Sequence, residues 1–253
     1  MKNSIFATAL LVLVLGCGCA WAAGPAATTY NWTGFYGGLN AGLAANDSNY
    51  TVSQAGLVTT VAPFLTDSGN FNNTAATIGG QLGYNYQVGS LVFGLETDFN
   101  YDSSEDSIYR SVQIIPGPPL PFMNANLFVN QKIDYFGTLR ARFGFTPADR
   151  FLIYGTGGLA YGDVSSRSSV QYFPTELYAA GSSSGMQTGW AVGAGGEYAL
   201  NNCWSVKLEY LYIDLGSRTY TYPFQTPFPA GSTSTTTIDT AQHVIRVGLN
   251  YKF

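Results

Sequence analysis

The sequence predicts an all-β fold, an eight-stranded antiparallel up-and-down transmembrane β-barrel, from three observations. Residues 241–253 alternate between apolar and polar side chains and end on an aromatic residue. Only 10% of all residues are charged, whereas 30 are glycine and 15% are aromatic. After the N-terminus the sequence has no apolar run of about eighteen residues that could form a transmembrane helix. A chain of this composition that enters a membrane is therefore expected to cross it with strands.

Period-two alternation recurs in eight segments of roughly the length that a transmembrane strand needs. The segments are residues 33–44, 74–87, 91–101, 132–145, 151–162, 187–200, 204–215 and 240–253. Short connections at 88–90, 146–150 and 201–203 alternate with long ones at 45–73, 102–131, 163–186 and 216–239. The even strand count and the alternating connections predict a closed barrel with short periplasmic turns and four long outer loops.

Aromatic residues on the apolar face of these segments fall into two bands along the predicted barrel axis. The band near the short turns contains Trp32, Phe35, Tyr84, Tyr86, Phe143, Phe145, Phe151, Tyr198, Trp204, Tyr251 and Phe253, and the band near the loops contains Phe99, Tyr101, Tyr135, Tyr161, Trp190, Tyr210 and Tyr212. Amphipathic rings prefer the membrane interface, so two girdles around an aliphatic belt indicate a lipid-facing wall. A soluble sandwich or barrel remains the alternative, since its inner faces would alternate in the same way.

The N-terminus reads as a secretory signal peptide. Lys2 is followed by an apolar run over 5–16 and by the small-residue exit Ala20-Trp21-Ala22. We expect cleavage after Ala22, which makes 1–22 the signal peptide and 23–253 one outer-membrane β-barrel domain. The alternative is a lipoprotein cleavage site that ends at Cys17 and leaves a lipid anchor there. Both interpretations predict export from the cytoplasm.

The charge and the ligand chemistry of the sequence exclude several functions. A formal net charge of −4 argues against a nucleic-acid partner. His243 is the only histidine and no cluster of thiols accompanies it, so we expect no metal site and no cofactor.

Four motifs carry a resemblance to a known family. They are WTGFYGG from Trp32, GGQLGYNY from Gly79, YGTGGLAY from Tyr154 and the closing GLNYKF from Gly248. In this order and spacing, the chain resembles the small outer-membrane proteins of alphaproteobacteria, often labelled porin family or outer-membrane immunogenic protein, which belong with the OmpA-like eight-stranded barrels. The resemblance implies the outer membrane of a Gram-negative bacterium. It also implies that Tyr251 and Phe253 form a C-terminal assembly signal for the outer-membrane insertion machinery.

The polar face of the segments carries a set of charges that we predict to form a network inside the barrel. Its members are Glu96, Asp98, Arg140, Arg142, Glu197, Lys207, Glu209 and Arg246, with Lys132 and Asp134 on the same face nearer the loops. An eight-stranded barrel has an interior that side chains can fill, so paired charges would form a plug. The alternative is a narrow channel for ions or small solutes lined by the same groups. The many inward glycines fit either interpretation.

We expect no enzymatic activity. A lipid-modifying enzyme would need a base and a nucleophile, and the one histidine, His243, lies on the lipid-facing phase near the loop end with Ile245 two positions on. The expected role is structural and surface-interactive: a monomer that supports the envelope, contacts outer-membrane lipid and lipopolysaccharide, and displays loops to an unknown surface ligand.

The predicted loops are rich in Ser, Thr, Asn and Gly, with apolar patches at 114–122 and 222–229. Such patches either contact a partner or fold onto each other and the barrel rim. Three acids, Asp102, Glu105 and Asp106, are predicted to be a solvated loop start, with divalent cations that bridge lipopolysaccharide as the alternative.

Overall fold

The computed structural model describes residues 30–56, 67–114, 123–173, 177–225 and 231–253, which form eleven antiparallel strands. Their bounds are β1 Gly34–Asn46, β2 Ser48–Ala55, β3 Asp67–Phe71, β4 Thr74–Val88, β5 Leu91–Asp102, β6 Glu105–Ile114, β7 Met123–Ala148, β8 Phe151–Phe173, β9 Leu177–Ala199, β10 Trp204–Pro223 and β11 Thr233–Lys252. No helix in these ranges is long and apolar enough to cross a membrane. The predicted signal peptide and Cys17 lie outside the described residues.

Eight strands close into a ring and confirm the predicted fold class. The order is β1-β4-β5-β7-β8-β9-β10-β11, and β11 pairs back to β1 from Gln242 opposite Asn46 to Lys252 opposite Tyr36. Each predicted segment coincides with part of one ring strand. Aliphatic side chains of the predicted belt face outward, as Leu39, Leu139 and Ile245 show, whereas the alternate positions are buried. This arrangement is the reverse of a soluble barrel and is what a lipid surrounding requires.

One aromatic residue departs from the predicted girdle. Trp32 is only 2% exposed and packs edge-to-face on Tyr30 with ring centroids 4.7 Å apart. Because β1 begins at Gly34, Trp32 precedes the strand and does not follow its alternation. The prediction that Trp32 faces lipid is wrong: the segment before β1 turns into the mouth of the barrel at the short-turn end.

The predicted long loops are largely regular strands, which corrects their assignment as irregular connections. Strands β2, β3 and β6 and the outer parts of β7 to β11 all lie within them. Their sequences alternate β-branched or aromatic residues with polar ones, as in Tyr50-Thr51-Val52, which suits a half-buried strand. These residues extend the barrel wall beyond the aromatic girdle, and we call the extension the head.

The head consists of two four-stranded sheets rather than a closed barrel. Strand β9 pairs with β10 only up to Trp190 opposite Asp214, and among the described residues β3 and β6 share no ladder. One sheet therefore has the order β6-β7-β8-β9 and the other β10-β11-β2-β3. Between the sheets lies an apolar core of Tyr50, Val52, Phe71, Leu127, Val129, Val170, Ala179, Tyr222, Phe224 and Ile238.

Two β-bulges mark the level at which the barrel becomes the head. One lies between Ile133 and Tyr135 in β7, and the other lies between Asp214 and Gly216 in β10. Each bulge shifts the alternation by one residue, so the side chains beyond it change faces. Lys132 and Asp134 consequently form an exposed ion pair, Nζ to Oδ1 2.5 Å, and the prediction that they face inward is wrong.

Of the two predicted apolar patches, only parts lie among the described residues. Tyr222 and Phe224 belong to the core of the head, and Ile114 ends β6. For Tyr222 and Phe224, packing within the protein is therefore observed rather than exposure to a partner. Residues 115–122 and 226–230 lie outside the described ranges.

Candidate functional site

Five strands direct the predicted charges into the barrel lumen. Every second residue of a strand points inward, so β5 supplies two acids, β7 two arginines, β10 a lysine and an acid, and β9 and β11 one residue each. The residues are Glu96, Asp98, Arg140, Arg142, Glu197, Lys207, Glu209 and Arg246, each no more than 3% exposed. The structure thus brings all eight predicted residues together inside the ring.

Two guanidinium groups form the centre of this charge network. Arg140 lies 2.7 Å from Glu96, 2.9 Å from Asp98 and 3.1 Å from Glu209, measured between the closest nitrogen and carboxylate oxygen of each pair. Arg246 contacts Asp98 at 2.7 Å and Glu209 at 2.6 Å. Asp98 and Glu209 thereby each contact both guanidinium groups, and the contacts join β5, β7, β10 and β11.

The remaining pairs extend the network toward the short-turn end. Lys207 Nζ lies 2.7 Å from Glu96 Oε1, and Arg142 Nη2 lies 2.8 Å from Glu197 Oε2. The four basic and four acidic groups give a network without net charge. Charge that is buried and paired in this way is held in place, because removing either partner leaves the other uncompensated.

Two tyrosines outside the predicted set of charges also belong to the network. The Tyr36 hydroxyl donates to Glu96 Oε2 at 2.8 Å and accepts from Arg142 Nη1 at 2.6 Å. The Tyr154 hydroxyl donates to Glu209 Oε1 at 3.0 Å, and its ring lies 3.8 Å below the Arg142 guanidinium. The sequence position of the two tyrosines could have indicated this role. Both lie on the polar face of a strand, where a ring without a polar group would have no hydrogen-bonding partner to offer.

Inward glycines accommodate these large side chains. A Cβ atom on Gly83 would lie 2.4 Å from the Tyr36 ring, and one on Gly195 would lie 2.6 Å from the Tyr154 hydroxyl. At these two positions the absence of a side chain provides space for a tyrosine ring. The glycines therefore relieve crowding around the network at these points.

Apolar layers cover the network on both sides along the barrel axis. At the short-turn end lie Tyr30, Trp32, Val92, Leu152, Tyr154 and Ala199. Toward the head lie Ala44, Ile133, Phe136, Ala160, Val164, Ala191, Leu211, Ile213, Leu215 and Val244. Two hydrogen bonds between backbone and side-chain groups hold the segment that carries Tyr30 and Trp32 in the layer at the short-turn end. The Trp32 N–H donates to Gln87 Oε1 at 2.8 Å, and the Lys252 ammonium donates to the Asn31 carbonyl.

His243 lies outside this site, on the outer wall where the barrel meets the head. Its Nδ1 is 2.7 Å from the Tyr210 hydroxyl and its Nε2 is 3.6 Å from Asp47 Oδ2, with the side chain 40% exposed. Tyr212 packs against the imidazole with ring centroids 5.1 Å apart. The arrangement places an imidazole in the upper aromatic girdle, between a phenol and a carboxylate.

Tyr251 and Phe253 lie on the outer surface at the short-turn end. Their ring centroids are 5.4 Å apart, Tyr251 also packs on Trp204 at 5.0 Å, and Phe253 is 54% exposed. The Phe253 N–H donates to the Phe35 carbonyl at 3.0 Å. The last residues of the chain thus close the ring against β1.

A ring of eight antiparallel strands with an apolar outer wall and a charged interior defines an outer-membrane β-barrel protein. Residues 9–253 match the family model described as outer membrane protein beta-barrel domain, so the chain belongs to this family. Its location is therefore the cell outer membrane.

Relatives with known names agree with this assignment. The chain is 37% identical over 228 residues to the 31 kDa outer-membrane immunogenic protein of Brucella melitensis biotype 1, which covers 89% of this chain and 85% of that protein. It is 31% identical over 156 residues, 60% of each chain, to the 22 kDa outer membrane protein of Rhizobium leguminosarum bv. viciae. The predicted resemblance to small alphaproteobacterial outer-membrane proteins is confirmed.

Solved structures of outer-membrane proteins align with most of the chain at low identity. The outer membrane protein OprG from Pseudomonas aeruginosa aligns with 89% of this chain and 98% of its own, at 14% identity and a TM-score of 0.46. Neisserial surface protein A aligns with 87% and 98%, respectively, at 14% identity and a TM-score of 0.37.

Proposed function

We propose that this protein is a closed structural barrel of the outer membrane, which anchors a folded head at the cell surface and does not conduct ions. The observation that carries the proposal is the charge network: its eight residues pair with one another and are no more than 3% exposed. The role is structural and surface-interactive, and it includes no catalytic step.

A permeating ion would have to disrupt this network. It would lose its hydration shell, cross the apolar layers on both sides and compete with guanidinium–carboxylate contacts of 2.6–3.1 Å. Taking an ion out of water without comparable partners costs many kcal/mol. The interior therefore favours a plug over the narrow channel.

Single-channel recording of the refolded mature protein in planar bilayers tests this function, after heat-modifiable migration on a gel confirms folding. We expect no steady openings from the wild type. Glu96→Gln and Arg142→Ala are expected to lower stability and to remain silent. Ion-selective openings from the wild type that change with either substitution would establish the channel instead.

A double variant shows whether the assay can detect an opened lumen. Leu211→Gly with Phe136→Gly removes two fully buried side chains from the apolar layer beneath the head. Leu39→Gly with Leu139→Gly removes two side chains from the lipid-facing wall and is the matched control. Leak currents from the first pair and silence from the second would support the proposed seal.

Export and assembly are part of the same proposal. We infer that residues 1–22 are cleaved as a signal peptide, that the outer-membrane insertion machinery reads Tyr251 and Phe253, and that the barrel is a monomer in contact with lipid and lipopolysaccharide. Mass spectrometry of the mature protein from outer membranes distinguishes an N-terminus at residue 23 from a lipidated Cys17. Deletion of Phe253 is expected to reduce the amount of folded barrel in the outer membrane.

The head would be the part of the molecule that meets the cell's surroundings, including any surface ligand. Its β10–β11 outer face carries cross-strand hydroxyl pairs, Thr219 to Thr237 and Thr221 to Thr235, both at 2.9 Å. On intact cells, a membrane-impermeant maleimide should label Thr221→Cys but not Asp149→Cys, which lies in a short turn. Labelling of Asp149→Cys alone would reverse the proposed orientation.

A further inference from the structure

A second buried polar layer lies between the apolar layer of the barrel and the core of the head. Its residues are Asn46, Ser48, Asp102, Ser104, Gln131, Thr240 and Gln242, all buried. Asp102 is 0% exposed, although the sequence predicts a solvated loop start there. That prediction is wrong for Asp102, because β5 continues through this residue and directs it inward.

Asp102 has no cationic partner, unlike the acids of the charge network. It does not take part in any ion pair among the described residues. Its carboxylate accepts from the Ser104 N–H at 2.8 Å, from the Ser104 hydroxyl, and from Gln242 Nε2 at 2.8 Å. An ionised Asp102 would have three hydrogen-bond donors but no cation among the described residues to balance its charge, because the network below is already neutral, and a buried charge without a counterion is costly.

The surroundings of Asp102 are rich in oxygen. Gln242 Nε2 approaches Asn46 Oδ1 at 2.9 Å, Asp102 Oδ2 at 2.8 Å and Ser104 Oγ at 3.5 Å, three acceptors for two hydrogens. The Gln242 side-chain oxygen is buried and has no hydrogen-bond partner, and the same holds for Gln131 Oε1. A half-turn of the Gln242 amide would place this unpartnered oxygen where its nitrogen now lies. Oxygen atoms of Asn46, Asp102, Ser104 and Gln242 would then face one another.

We propose that Asn46, Asp102, Ser104 and Gln242 form a binding site for one monovalent alkali cation, with sodium as the ligand. Carboxylate, amide and hydroxyl oxygens suit a hard cation. One carboxylate balances a single positive charge, whereas a divalent ion would leave a net positive charge buried. The described residues contain no group of three or more His, Cys, Asp or Glu side chains that could hold a metal ion, so this site differs from a transition-metal centre.

The site closes the upper end of the barrel interior. Asn46 ends β1, Asp102 ends β5, and Gln242 belongs to β11, so a cation held between them would join three ring strands just below the head. Ser103 and Glu105, which flank Ser104 in the chain, are exposed, so the site lies one residue away from the outer surface in sequence.

Unfolding of the refolded mature protein in sodium, potassium or choline chloride at equal ionic strength tests the site. At a sodium concentration ten times the dissociation constant, we expect the folding equilibrium to shift about elevenfold relative to choline. Asp102→Asn, which keeps the shape and removes the charge, should abolish the shift. Equal stability of the wild type in all three salts would overturn the proposal.

Three further variants separate the site from general electrostatics. Glu105→Gln removes an exposed acid nearby and should retain the full sodium shift. Asp98→Asn should lower stability in every salt and also retain the shift. If Asp102→Asn does not fold, Gln242→Met should weaken the sodium shift, because it removes the amide oxygen but no charge.

Crystals soaked in thallium(I) give a direct readout. An anomalous peak among Asn46, Asp102, Ser104 and Gln242 is expected. Its absence after a soak at saturating thallium(I) concentration would contradict the site. An infrared band of a protonated carboxyl group that disappears in Asp102→Asn would show that a proton neutralises Asp102, and this result would also overturn the proposal.

Discussion

The barrel and the head share strands β7 to β11 but have interiors of opposite character. Inside the membrane-spanning ring, eight charged residues pair with one another, whereas the core of the head contains ten buried apolar or aromatic residues. Their outer walls are reversed as well: Val247 faces outward in the ring and Thr237 faces outward in the head, on the same strand β11. The difference shows that the surroundings at each level, and not the strand itself, decide which side chains face inward.

Lipid and water impose these opposite patterns. The hydrocarbon core of a membrane cannot hydrogen-bond, so the ring places its apolar residues outside and collects its polar residues inside. The head has threonine hydroxyl pairs on its outer face, such as Thr219 and Thr237, and buries apolar surface, as a soluble sandwich does. The two interiors should therefore respond differently to the same kind of perturbation.

Removal of one interior cation should have the largest effect. Arg140→Met leaves Glu96, Asp98 and Glu209 short of a partner, and we expect a loss of about 3–5 kcal/mol in the free energy of unfolding. Urea unfolding of the barrel in lipid vesicles measures this loss. Arg167→Met, the same change on the exposed face of the head, is the control and should leave the midpoint unchanged.

Truncation of the apolar core should have a smaller and local effect. Phe71→Ala removes a fully buried ring from the head, at a cost of about 3 kcal/mol. We expect faster proteolysis within the head while the barrel keeps its heat-modifiable migration. Loss of both together would mean that the head and the barrel unfold as one cooperative unit.

The outer walls can be compared with one substitution made at two levels of β11. Val247→Arg places a charge on the lipid-facing wall and should cost about 2 kcal/mol or more. Thr237→Arg places the same charge on the head and should change the free energy of unfolding by less than about 0.5 kcal/mol. Similar effects at both positions would indicate that residue 247 does not contact lipid.

The bulge in β10 should contribute a smaller amount. Gly216 has a φ of +75°, and its N–H donates to Asp214 Oδ1 at 2.7 Å. Gly216→Ala forces a side chain into the left-handed region and should cost about 1 kcal/mol. Gly80→Ala, where a Cβ meets no atom closer than 3.5 Å, is the control in the ring and should be tolerated.

Alkaline pH should destabilise the head by the smallest amount of these changes. Burial raises the pKa of Tyr220, with the nearby Tyr222 acting in the same direction. The folded head therefore keeps this phenol protonated, so the associated stability is complete below the ordinary tyrosine pKa of about 10 and is lost as pH rises above it. Tyr220→Phe should reduce this loss, as measured by proteolysis of the head at increasing pH.

Several parts of the fold and of the site could be predicted because they depend on local alternation. The eight ring strands, the short turns and the eight residues of the charge network all follow from a period of two. Lys132 and Asp134 could not be predicted in the same way, because the bulge in β7 shifts the alternation and nothing in a simple period reveals it. The alternation predicts the wrong face for Trp32, because Trp32 precedes β1.

The contacts that cross the lumen required the three-dimensional structure. Tyr36 and Tyr154 join the network only because glycines on neighbouring strands make room for their rings. Asp102 is buried because β5 extends as far as this residue, the first of the predicted loop, and directs it inward, and its polar neighbours come from residues as distant in sequence as Asn46 and Gln242. A single strand contains no information about the residues that lie opposite it across the barrel.

By itself, the sequence determined that the chain crosses a membrane with eight two-faced strands and carries balanced charge inside, because each strand's pattern records the lipid on one side and the lumen on the other. Only the tertiary structure decided that the long connections fold into a two-sheet head. It also decided at which residue β10 stops pairing with β9 and which charges pair with each other. These features depend on bulges and on contacts between distant strands, and the packing of the complete chain fixes both.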